Sequence, residues 1–214
     1  MPASRVSTLL QTGAQRVLER GRALNTELVS ENELLTSEIA RLRLRVLELE
    51  RAADTDPLVP VYNRRAFMRE VTRAQTVMKR YDILSSIIFL DLNDFKSIND
   101  RFGHGIGDQL LLKTGKVLLE GVRDCDMVAR LGGDEFGILL FKTDLKMAQA
   151  KAGTLSCRIA EQCVEMPTGN VSVNAAWGTA PCEPDYTAEQ VLARADRAMY
   201  IAKKSAHLTE LDAL

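Results

Sequence analysis

The stretch R130-L-G-G-D-E-F-G-I-L-L140 decides how this chain folds. Apolar runs flank its glycines, residues 127–131 on one side and 136–141 on the other, and they predict two strands joined by a tight turn. Gly132 and Gly133 permit positive φ and let a phosphate come close to the backbone. Two acids follow them, Asp134 and Glu135, and their purpose depends on what lies beside the hairpin.

Working outward, I87-I-F-L-D91-L-N-D-F-K96 places another acid, Asp91, at the end of an apolar strand predicted over residues 83–90. A carboxylate there is costly to desolvate unless positive charge meets it. A hairpin neighbouring that strand brings Asp91 and Asp134 to one point. Carboxylates that converge in this way make a Mg²⁺ site, and Mg²⁺ so held completes its shell with phosphate oxygens. Lys96 then neutralises a phosphate. The competing account of these residues is a pair of ordinary surface turns.

The remaining elements follow from periodicity. Helices are expected over residues 64–80, 94–101, 108–122 and 146–164, with F102-G-H-G-I-G107 as a turn. A strand is expected over residues 171–179 and a closing helix over 187–206, with Thr187 as its N-cap. Helices alternating with strands around one hairpin predict an α+β domain, its helices packed on a mostly antiparallel sheet.

Upstream the pattern changes. No Gly or Pro occurs between Arg22 and Asp56, and Leu28, Leu35, Leu42 and Leu49 recur every seven residues. Ile39 and Val46 occupy a positions of that register, with Asn25 and Asn32 at two further a positions, where buried amides favour two parallel strands. Glu38 faces Arg43 of a partner, and Arg45 faces Glu50. A parallel dimeric coiled coil is expected; the alternative is one amphipathic helix folded back on its own domain. Pro57 and Pro60 end the rod and mark a hinge. The expected domains are residues 1–53 for dimerisation and signal input, and 54–214 for the globule.

Bulk composition narrows the classes. A net charge of −1 over 214 residues offers no broad basic field for nucleic acid. No apolar run approaches the roughly 20 residues of a membrane span, and no signal-peptide core is present, so a cytoplasmic location is expected. Cys125, Cys157, Cys163 and Cys182 show no zinc spacing and are expected to be reduced.

The motifs resemble those of the GGDEF family of diguanylate cyclases. G132-G-D-E-F136 matches the family's name-giving motif, and N63-R-R-A-F67, the run F89 to D108, and A195-D-R-A-M-Y-I-A-K203 agree in order and spacing. The resemblance covers residues 54 to about 206. It implies a palm-like nucleotidyl cyclase fold and conversion of two GTP into cyclic di-GMP with release of two pyrophosphates. It implies Mg²⁺ (or Mn²⁺) held by Asp91, the Leu92 carbonyl, Asp134 and Glu135, with Glu135 assisting removal of the 3′-hydroxyl proton. Asn99 and Asp108 match the guanine-reading pair, and Phe95 joins them as a substrate-binding position. Gly132 and Gly133 match the phosphate cradle, and Lys96 and Lys203 the cations on the β and γ phosphates. R123-D-C-D126, at the family's offset from Gly132, implies product inhibition through Arg123 and Asp126, with Arg158 a secondary contact. One GTP per domain implies a homodimer.

The chain departs from the family at L58-V-P-V61, where the usual flexible glycine is Pro60, at Ala206-His207 in place of Gly-Arg, and at Asn174 and Ala176. Trp177 is expected to pack and His104 to be a turn residue. The alternatives to an active cyclase are a catalytically weak module that binds GTP or cyclic di-GMP, and a coiled-coil adaptor.

Overall fold

The computed structural model describes residues 25, 28–46, 53–167 and 169–211. The chain divides into two units at Ala53 and Asp54. In the first, residues 28–46 form helix α1. Its Leu28, Leu35, Ile39, Leu42 and Val46 all stand about half exposed, leaving a row of unburied apolar side chains at a and d spacing. Glu38, expected to face Arg43 of a partner, is paired with Arg41 of its own helix at 2.6 Å. Leu49 and Glu50 lie outside the described residues.

The second unit opens with the short strand β1 (Tyr62–Asn63) and helix α2 (Arg64–Tyr81), whose first turn is capped by the Asn63 side chain accepting from Ala66 N at 3.0 Å. Strand β2 (Ser85–Leu92) leads to helices α3 (Phe95–Phe102) and α4 (His104–Glu120). The hairpin β3 (Met127–Gly132) and β4 (Glu135–Phe141) follows, then α5 (Leu145–Ala160). A two-stranded ribbon, β5 (Cys163–Val164) and β6 (Val171–Ser172), precedes β7 (Ala175–Pro181) and α6 (Ala188–Leu211). The main sheet runs β1-β3-β4-β2-β7, antiparallel except where β1 joins β3.

Alternation along the central strands sends side chains to two cores. Ile88, Leu90, Leu92, Phe136, Ile138 and Leu140 pack beneath α3, α4 and α5; Ile87, Phe89, Leu139, Met127 and Ala129 pack against α2 and α6. Helices therefore cover both faces, and both sides of the buried strands read as apolar. All four cysteines are free, and burial pushes the Cys182 thiol up to about 12.

Several boundaries differ from expectation, each for a local reason. β2 begins two residues late because Asp82, left-handed at φ 55°, ends α2 and Leu84 stays exposed. Asp91 thus lies within the strand and does not terminate it. Helix α4 starts at His104 and not at residue 108; Gly103, at φ 85°, makes the whole reversal, so His104 opens a helix. The strand expected over 171–179 is broken after Ser172, where the Asn174 carbonyl is taken by Asn93 N at 2.8 Å. The supposed hinge is packed: Val59 and Val61 are buried in the first core. Thr187 does cap α6, its Oγ1 accepting from Gln190 N at 3.3 Å while Gln190 Oε1 accepts from Thr187 N at 2.8 Å.

Candidate active site

The register of β2 and β4 sets Asp91 directly opposite Glu135. Opposed residues of an antiparallel pair share a face, so both carboxylates continue the row of Ile87, Phe89 and Leu139 toward α2 and α6. Gly133 takes φ 41°, a left-handed conformation that costs glycine little, and this closes the turn in two residues. The Asp134 carbonyl accepts from Leu92 N at 3.2 Å, which pins the tip against the end of β2. Phe136, fully buried, anchors the hairpin just past the acids.

Lys203 of α6 reaches Asp91, its Nζ 2.6 Å from Oδ1. Burial raises the pKa of Asp134, and Asp91 raises it further, while its own backbone N–H, Lys203 and Arg130 pull it down. Burial likewise raises Glu135, with Asp91, Asp134 and Asp196 adding to the rise and Arg64 opposing it. Three carboxylates are thus close enough to repel one another. An oxygen-only donor set of this charge fits a hard divalent cation such as Mg²⁺ or Mn²⁺. Among the described residues no three His, Cys, Asp or Glu side chains already surround one point, and Asp91 is held by Lys203 instead.

A second cluster comes from α3 and α4. Asn99 Oδ1 is buried without a hydrogen-bond partner among the described residues, and a Cβ at Gly107 would stand 2.0 Å from it, so a larger residue there would displace the Asn99 amide. Asp108 follows Gly107 directly and is exposed. Phe95 is buried in the core, its ring against Gly107. Lys96 is exposed on α3; the cations acting on Asp134 and Glu135 are Lys203, Arg130 and Arg64.

Arg123 and Asp126 sit at the other end of β3, roughly 20 Å from the glycine turn at about 3.3 Å per residue. Asp126 accepts from Arg123 N and Phe141 N, each at 3.0 Å, so its carboxylate shapes the loop that presents Arg123. Arg123 lines a cavity of about 570 Å³ with Arg73, Lys142 and Glu70. Sequence reasoning missed Arg130, Arg64, Asp196 and Asp56. Arg130 carried a visible signal, a lone charge inside an apolar strand.

A family model described as "Diguanylate cyclase, GGDEF domain" matches residues 53–207. The diguanylate cyclase TpbB of Pseudomonas aeruginosa is 34% identical over 206 residues, covering 90% of this chain and 46% of that protein. Diguanylate cyclase DgcP of Escherichia coli is 32% identical over 196 residues, covering 89% of this chain and 55% of its own length. The chain therefore spans about half the length of these curated relatives. Among solved structures, the coiled coil and GGDEF domain of DgcB from Caulobacter crescentus, in complex with c-di-GMP, has a TM-score of 0.75 at 25% identity, covering 83% of this chain and 95% of that one. Diguanylate cyclase SiaD of Pseudomonas aeruginosa, in complex with its activator SiaC, has a TM-score of 0.75 at 27% identity, covering 94% of this chain and 79% of that one. With the matched motif set on a glycine turn beside three carboxylates, the chain belongs to the GGDEF family of diguanylate cyclase domains.

Proposed function

We propose that this chain is a diguanylate cyclase, joining two GTP molecules into cyclic di-GMP with release of two pyrophosphates. The observation that carries this is Asp91 standing directly opposite Glu135 across the sheet, with Asp134 beside Glu135 in the glycine turn. These carboxylates, with the Leu92 carbonyl, would hold Mg²⁺ or Mn²⁺, which supplies charge neutralisation to the triphosphate and polarises its phosphorus. Gly132 and Gly133 leave bare backbone for phosphate oxygens; among the described residues nothing lies within 4 Å of where a Gly133 Cβ would stand. Lys203 and Lys96 bring positive charge to the β and γ phosphates. Asn99 offers its orphaned acceptor to the N–H groups of guanine beside Asp108, and Phe95 supports it from the core.

The 3′-hydroxyl oxygen of one GTP attacks the α-phosphorus of the other. A P–O bond forms as the bond to the β-phosphate oxygen breaks, pyrophosphate departs, and the hydroxyl proton passes to Glu135. A carboxylate whose pKa is raised by burial is the better acceptor for it. Positioning and charge neutralisation supply most of the rate.

Each domain holds one GTP, so two must face each other. We assign the pairing to residues 1–53 as a parallel coiled-coil homodimer and input element, and the exposed a and d row of α1 supports it. The likeness to SiaD, solved with its activator, extends the proposal to a partner protein acting on that unit. The GTP pool places the reaction in the cytoplasm, and among the described residues no helix is long and apolar enough to cross a membrane.

Product inhibition is assigned to Arg123 and Asp126. The basic side chains around the 570 Å³ cavity suit an anionic dinucleotide, with Asp126 holding the loop. Incubating the purified chain with GTP and Mg²⁺, with and without added cyclic di-GMP, tests both parts. Conversion is expected; binding without turnover would instead favour a sensor module, and neither would favour an adaptor. Arg123→Ala should raise the steady-state product level, and an unchanged inhibition curve would remove the inhibitory assignment.

A further inference from the structure

We propose that Arg130 is a positioning residue that locks the Gly133–Asp134 peptide to the lead-in segment, residues 54–61, so that segment and turn move as one body. Only its effect on turnover rests on the cyclase assignment. Three contacts converge on this side chain. Nε and Nη2 donate to the Gly133 carbonyl at 2.9 and 2.7 Å, and Nη1 donates to Asp56 Oδ1 at 3.2 Å. The Arg130 and Asp56 side chains are only 15% and 14% exposed, so water competes weakly for these bonds.

Asp56 is itself held. Its Oδ1 also accepts from Leu58 N at 3.0 Å and Val59 N at 2.8 Å, and Asp56 N donates to Val61 O at 2.9 Å. Val59, fully buried, packs against Gly115 of α4, and Val61 is buried beside it. The segment is therefore keyed into the core, and its carboxylate is a fixed post to which the guanidinium is tied. At the far end, the peptide before Asp134 is gripped by Arg130 through the Gly133 carbonyl. The peptide after it is gripped by Leu92, whose N–H bonds the Asp134 carbonyl at 3.2 Å. With both flanking peptides fixed, the Cα–Cβ bond that launches the Asp134 carboxylate is fixed too. Arg130 also offsets part of the electrostatic penalty on that carboxylate.

The planar fork is essential to this geometry. One guanidinium donates twice to a carbonyl and once to a carboxylate on its other side, whereas a lysine ammonium is a point charge that serves one of them well. Movement imposed on the backbone at Ala53–Asp54 reaches Asp56 first, and the fork carries it to the turn.

The test uses amide hydrogen exchange on the full chain without nucleotide or metal. Arg130→Lys should speed exchange of the Leu92 amide about 10-fold or more, while Ile88 and Leu90 in the same strand stay within about 2-fold. In turnover with GTP, kcat should fall about 10- to 100-fold with KM within about 3-fold, the signature of displaced chemistry and not of lost binding. Asp56→Asn should act in the same direction, and the double variant should be no worse than Arg130→Lys alone, since both break one linkage. An unchanged Leu92 exchange rate, or single effects that simply multiply in the double variant, would overturn the proposal. Should Arg130→Lys unfold the domain, Asp56→Asn, which leaves the Gly133 bonds in place, carries the same exchange test. If the wild-type chain never turns over GTP, the cyclase assignment fails while the exchange result still decides the lock.

Discussion

At the residue scale, the acids of the turn are held at a disadvantage that the proposed metal-holding role would explain. Burial and mutual repulsion raise the pKa values of Asp134 and Glu135, which means the folded state disfavours their charged forms. For a carboxyl whose folded pKa is raised, the favourable contribution is complete below its unfolded value and is lost as pH climbs through the folded value. At neutral pH both acids therefore subtract from stability. Asp134→Asn should raise the melting temperature at pH 7, and the gain should shrink as pH falls toward the ordinary carboxylate value of about 4. A lowered melting temperature, or a gain indifferent to pH, would contradict that account. Asn99 makes a different demand, since its buried acceptor lacks a donor among the described residues. Asn99→Ala should raise KM for GTP by about 10- to 100-fold, corresponding to the roughly 1–3 kcal/mol carried by a buried hydrogen-bonding group. Steady-state kinetics with KM unmoved would remove it from guanine recognition. Asn99 and Asp108 were marked only by the family resemblance, whereas the acids around the turn were legible in the sequence as residue types. That Asp91 stands opposite Glu135 was not, because a one-residue change in register would send it to the other face.

At the element scale, the hairpin works because its flanks are core. Phe136 and Leu131 are buried on opposite faces of the sheet, so the two-residue tip is stretched between fixed points. Phe136→Ala should cost about 3–5 kcal/mol in denaturant unfolding. A loss under about 1 kcal/mol would mean the site collapses around the missing ring. The types of the major elements were readable from apolar periodicity, while their ends were not. Helix α4 begins four residues early because Gly103, at φ 85°, makes the whole reversal, which leaves Gly105 and Gly107 inside a helix that propensity alone would break. The ribbon β5–β6 escaped notice because each strand is only two residues long.

At the scale of the whole molecule, the proposed reaction would require two domains, and the exposed a and d row of α1 is the surface we propose to pair them. Leu35→Glu with Leu42→Glu should abolish dimers in light scattering and turnover with them; a fully active monomer would contradict the assembly. The sequence by itself determined the class of the globule and the residue types carried by its turn. Apolar alternation, glycine at Gly132 and Gly133, and acids at Asp91, Asp134 and Glu135 are local properties that no packing can change. Only the tertiary structure decided which of these groups meet. The Lys203–Asp91 contact spans 112 residues and the Arg130–Asp56 contact 74, and both depend on how helices and the lead-in segment are laid on the sheet. Such pairings arise because burying two apolar faces dominates the energetics, and the polar groups carried along must find partners where that burial leaves them.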